Sequence, residues 1–149
     1  MDDFVQFLRA RLDEDEQVAR AATPGPWSVN DKSYAESIDG PNGVAVVGGS
    51  RWGGEASVFE STEDALHIAE HNPARVLAEV DAKRRLLDEH PPARGWDGKN
   101  LDGPVCRTCA ETGTDGDLNG DPYPCTTLRL LALPYADRPG YREEWRPAA

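Results

Sequence analysis

Four side chains in the second half of this chain share one spacing. His90, Cys106, Cys109 and Cys125 read His-x15-Cys-x2-Cys-x15-Cys. A Cys-x-x-Cys pair sets two thiolates on one tight turn, facing one point. Two further soft ligands, each fifteen residues away, can close a tetrahedron around Zn2+. The expected site is therefore a structural zinc centre ligated by these four residues. The histidine position stays open at this level, because His71 or His67 could replace His90.

Three weaker patterns suggest other chemistry. His67-Ile-Ala-Glu70-His71 matches the inverted zinc-protease motif, with two imidazoles on one helix face and Glu70 as general base. No third ligand is evident, and an ordinary amphipathic helix end with two histidines is the better reading. Asp115-Gly-Asp117-Leu-Asn119-Gly120 reproduces the first half of a calcium loop. Its twelfth position would be Thr126 rather than a bidentate Glu, and Pro122 and Pro124 forbid the usual exiting helix. A solvated turn is the better reading. Asp13-Glu14-Asp15-Glu16 reads as the solvated face of a helix, or as an imitation of a phosphate backbone. No nucleophile elbow, phosphate loop or dinucleotide fingerprint is present.

These residues need elements to position them. Residues 2–22 read as an amphipathic helix with Asp2 and Asp3 at its start. Phe4, Phe7, Leu8, Leu12 and Ala19 form its apolar face. Thr23-Pro24-Gly25-Pro26 stops it. Short strands are expected at 27–29, 36–39, 44–47 and 56–59, with turns at 39–43 and 48–54. Ser61 caps a second helix, with Asp64 in the reciprocal position. Asn72-Pro73 starts a third, in which Val76, Leu77, Val80, Leu86 and Leu87 face the core and Pro91-Pro92 marks the end. Residues 91–124 show no periodicity, and metal ligation is one way to order so long a stretch. Thr126 or Thr127 caps a short helix through Leu133, with Cys125 just ahead of it, where the helix dipole favours a thiolate. Tyr135, Tyr141 and Trp145 in the tail pack back on the domain.

The net charge of −11 argues against general affinity for nucleic acid phosphates and for anionic membranes. It suits a cytoplasmic protein, or one that meets a basic partner surface. The N-terminus lacks the basic and apolar regions of a signal peptide, and no apolar run approaches a membrane span. Three cysteines would leave one odd thiol in any disulfide scheme, which favours metal over disulfides.

The segment MDDFVQFLRARLDEDE, the Ala22-Thr-Pro-Gly-Pro-Trp27 element, the run from His67 to Leu77 and the run from Leu133 to Trp145 carry a resemblance. Over nearly its whole length the chain resembles an uncharacterised protein family of actinomycetes and their phages. The first part also resembles a wider group of small phage proteins. The resemblance implies a mobile-element or accessory role and no known activity. It implies that the position of Glu70 often holds Arg or another residue, which makes the protease motif accidental. It implies that 113–122 is an insertion of variable length, and that the histidine and three cysteines are family features.

The expectation is an α+β fold: an N-terminal helix, a small antiparallel sheet, a helix pair, then a zinc-stapled loop and short helix. Residues 1–90 form the α+β domain, and 91–149 form the zinc-stapled segment packed on it. The expected function is that of a non-enzymatic accessory protein that binds another protein, without direct nucleic-acid or membrane contact. The alternatives are an acidic inhibitor of a DNA-binding protein and a metal-dependent hydrolase using His67, Glu70 and His71.

Overall fold

The computed structural model describes residues 2–30, 37–48 and 62–148. The fold is α+β. In chain order it runs α1 (Asp2–Ala21), β1 (Ser28–Asn30), β2 (Ser37–Asp39), β3 (Ala45–Val47), α2 (Thr62–Glu70), α3 (Pro73–Glu89), β4 (Pro92–Gly95), β5 (Gly103–Cys106), β6 (Glu111–Thr112), β7 (Leu118–Asn119) and α4 (Thr126–Ala132). The expected strand at 56–59, the Ser61 cap and most of the 48–54 turn lie outside the described residues.

The chain divides into two compact units, Glu14–Val80 and the pair Met1–Asp13 with Asp81–Ala149. The division falls inside α1 and α3, not after residue 90. The cause is visible in the second unit. Phe4 and Phe7, on the first turns of α1, meet the C-terminal tail. Phe4 lies edge-on to Trp145 at 5.4 Å, and Phe7 lies 5.3 Å from Trp145 and 5.9 Å from Tyr141. Aromatic burial of this kind outweighs sequence adjacency in deciding what packs with what. Tyr135 and Trp145 are buried, as the sequence suggests.

In the unit 14–80, β1, β2 and β3 form an antiparallel meander with Val29 opposite Ile38 and Ile38 opposite Val47. Asn42 and Gly43 supply the left-handed backbone that the turn before β3 requires, at φ 59° and 70°. Ile38, Ala65 and Ala69 form a small buried core, with Trp27, Val29, Val46 and Val47 around it. Ala65 and Ala69 are one helical turn apart, so α2 presents small side chains to the sheet and can lie close to it.

Asn72 joins α2 to α3. Its side-chain amide donates to the Ala69 carbonyl at 3.1 Å, while its oxygen accepts from the Ala74 and Arg75 N–H groups at 3.0 and 3.3 Å. One residue thus serves a helix C-terminus and caps the next N-terminus. On α3, Val80 and Leu87 are buried as expected, but Leu86 is exposed. Leu86 and Leu87 are neighbours about 100° apart on a helix, and only one can face inward.

Residues 91–124 are more regular than their composition suggests. β4 and β5 form an antiparallel ribbon, with Pro92 opposite Cys106 and Gly95 opposite Gly103. β6 and β7 form a second. The two meet where Trp96 N–H donates to Leu118 O at 2.9 Å and Gly120 N–H donates to Trp96 O at 2.8 Å. A Cβ on Gly95 would lie 2.4 Å from Leu118 O, so only glycine admits this approach. Strands of two to four residues, two of them broken by Gly and Pro, carry no alternation, which is why periodicity misses them.

Candidate metal centre

The ligands come from four places in the chain: the end of α3, the end of β5, the turn after it and the start of α4. His90 follows the last turn of α3, and its N–H donates to Leu87 O at 3.3 Å. Two residues later β4 begins, paired so that Cys106 ends β5 beside Pro92. The Cys106–Cys109 turn closes with Ala110 N–H donating to Cys106 O at 2.9 Å. Two bonds tie that turn to the end of α3: Arg107 N–H to Pro91 O at 3.0 Å, and the Thr108 hydroxyl to Glu89 O. Residues 121–123 then run along β5. Cys106 N–H donates to Asp121 O and Tyr123 N–H donates to Pro104 O, both at 3.0 Å. This return path carries Cys125 to the cluster.

Cys125, rather than Thr126 or Thr127, occupies the N-cap position of α4, and no side-chain hydrogen bond caps that helix. The thiol stands where a capping hydroxyl would and is left for another task.

The four ligand atoms lie within 4.8 Å of one another. His90 Nδ1 is 3.5 Å from Cys106 Sγ, 3.3 Å from Cys109 Sγ and 3.6 Å from Cys125 Sγ. One ring nitrogen has either one proton or one lone pair, so it cannot make three hydrogen bonds together. A shared cation explains all three distances. With metal–sulfur bonds near 2.3 Å and metal–nitrogen bonds near 2.05 Å, tetrahedral geometry sets sulfur and nitrogen about 3.6 Å apart. The donor set fits a four-coordinate metal ion.

Electrostatics point the same way. Burial raises the Cys109 thiol pKa to about 12, helped by the neighbouring Cys106 and Cys125. Burial also raises that of Cys125, with the Leu128 N–H at the start of α4 pulling against it. Without a positive charge beside them, the Cys109 and Cys125 thiols hold their protons. A cation reverses that balance, since thiolates are the ligating form. Cys106 and Cys125 are buried and Cys109 is half-buried, and all three are free of disulfides.

The other sequence candidates are arranged differently. His67, Glu70 and His71 are exposed near the end of α2, and neither histidine joins the cysteines. Asp115 and Asp117 sit in the turn between β6 and β7. Asp115 accepts from the Asp117 N–H at 3.2 Å, and Asp117 O accepts from Gly113 N–H at 2.7 Å. Among the described residues, no group of three or more His, Cys, Asp or Glu converges there. Thr108 and the carbonyls of Glu89, Pro91 and Asp121 support the centre, and sequence reasoning misses them. A backbone carbonyl leaves no residue-type signal, although the Thr inside Cys-x-Thr-Cys is a faint one.

Among the described residues no helix is long and apolar enough to cross a membrane. Comparison with curated proteins and with solved structures returned no match. A family model does match, over residues 1–147, in agreement with the resemblance seen in the sequence. The chain belongs to that family, a family of unknown function designated DUF6221.

Proposed function

We propose that this chain is a non-enzymatic accessory protein, stabilised by a structural zinc ion, that acts by binding another protein. One observation carries the reading: His90 and the three cysteines close around a single point with near-tetrahedral spacing. A Cys3His set fills all four zinc positions and leaves none for substrate or activated water. The mobile-element character of the reading rests on the sequence resemblance. A zinc–thiolate centre suits a reducing compartment, so the reading places the protein in the cytoplasm.

The inhibitor alternative needs carboxylates in an uninterrupted row. Instead, arginines sit among them: Arg84 beside Asp13, Arg20 beside Glu16, Arg75 beside Glu79, Arg85 beside Asp81 and Arg9 beside Asp88. That interleaving counts against imitation of a phosphate backbone.

Metal analysis with X-ray absorption on protein purified without added metal tests the core of the reading. It expects one zinc per chain with three sulfur neighbours and one nitrogen. Three protein ligands plus a water oxygen would replace it with a hydrolytic reading. Capture from a lysate of the source organism at low and high salt tests the partner. A charge-driven partner is lost as salt rises, and a partner held by apolar contact is retained.

A further inference from the structure

His67 and His71 are not used by the cysteine cluster, yet their geometry is specific. They stand one turn apart at the C-terminal end of α2, both exposed, with ring centroids 4.2 Å apart. His71 Nδ1 lies 2.8 Å from the His67 carbonyl oxygen. A carbonyl only accepts, so Nδ1 carries the proton and donates. The neutral ring then has its lone pair on Nε2, in an exposed side chain. A ring N–H held by a backbone carbonyl is the arrangement that orients metal-binding histidines.

We propose that His67 and His71 form a second, exposed metal site, a two-imidazole chelate for a borderline divalent cation of the Ni2+, Cu2+ and Zn2+ class. Two imidazoles on one such ion at an angle between square and tetrahedral have centroids about 4.5–5.2 Å apart. The observed 4.2 Å is within a small side-chain rotation of that range. The carbonyl end of α2 carries partial negative charge, and the chain bears a net charge of −11, so both local and overall fields favour a cation. Among the described residues no third His, Cys, Asp or Glu converges on the pair. The ion keeps open positions, filled by water or by a ligand from outside the chain. This separates the site from the closed cysteine centre in kind: it is exchangeable, whereas the cysteine centre is built in. Among divalent ions, imidazole donors favour Cu2+ over Ni2+ and Zn2+.

The test uses full-length protein already loaded with one zinc, titrated with Ni2+ by calorimetry, with melting temperature followed in parallel. The wild type is expected to take up one Ni2+ without releasing zinc, and to melt at a higher temperature when it does. His67→Ala and His71→Ala are each expected to lower Ni2+ affinity by about 100-fold, because each leaves a single imidazole where two acted together. Both side chains are exposed, so both variants keep the zinc and the fold, and zinc content checks this. Cu2+ added to the same proteins should give an electron spin resonance spectrum with two equatorial nitrogens, reduced to one in each variant. No Ni2+ uptake by the wild type overturns the proposal. So does uptake that survives either substitution, which would mark single-histidine binding or binding elsewhere.

Discussion

The unit 14–80 and the segment 90–125 are ordered by different physics. In the first, Ile38, Ala65 and Ala69 are shielded by Trp27, Val29, Val46 and Val47, and burial of apolar surface holds a three-stranded sheet against α2. In the second, the buried side chains are Val105, Cys106, Tyr123, Pro124 and Cys125, two of them cysteines. The strands are two to four residues long, and their backbone bonds alone do not offset roughly 1–2 kcal/mol of ordering entropy per residue. In the proposed reading, chelation takes the place of a core. Residues 90–125 contribute few buried apolar side chains of their own, and on that reading four ligands staple what burial there cannot.

The strongest way to break the comparison is to remove the metal. Ligand binding and folding are one free energy in such a site, on the order of 10 kcal/mol for small structural zinc domains. With chelator, limited proteolysis should cut between Pro91 and Pro124, while β1 to β3 and α2 stay protected. Cuts in both regions at once, or in neither, would mean that the two are not ordered separately. Cys109→Ser isolates the metal contribution, because Cys109 is only half-buried and the change removes little packing. Its melting temperature should fall to that of the chelated wild type.

Proton uptake sharpens the same point. Cys109 and Cys125 have raised pKa values before metal binds, so both are protonated at neutral pH and binding must displace those protons. Metal affinity therefore falls as pH falls, by about tenfold per pH unit for each thiol proton displaced. Calorimetry in buffers of different ionisation enthalpy counts the protons. A count near zero would mean that the thiols are not the ligands.

Trp145→Ala should cost about 3–5 kcal/mol, since the indole is buried against Phe4 and Phe7. The loss should appear in denaturant melts with the metal still bound. Ile38→Ala, about 2–5 kcal/mol, should expose the sheet of the unit 14–80 and leave the metal stoichiometry at one. Metal loss in the Ile38 variant would show that the two modes of ordering are coupled. The smallest effect is Asn72→Ala, about 1–2 kcal/mol, because the side chain caps α3 and also serves the Ala69 carbonyl. Asn72→Asp keeps the cap and loses the donor, and should recover most of the stability if capping dominates.

The sequence alone determined the features that are local in the chain. The Cys-x2-Cys turn, the Asn72-Pro73 helix start, the Pro91-Pro92 stop and the turn at 39–43 depend on adjacent residue types, and each is where the sequence places it. The ligand types were equally legible, because no other common chemistry gathers three cysteines and a histidine at such spacing. Tertiary structure decided the rest. Only the return of 121–123 along β5 brings Cys125 to Cys106, and only the end of α3 brings His90 there instead of His67 or His71. Only packing chose Leu87 over Leu86, and drew the start of α1 to the C-terminal aromatics. Pairings of only two to four residues leave no period in the sequence. Their partners are fixed by hydrogen bonds between residues apart in the chain, and no local pattern of residue types records which those are.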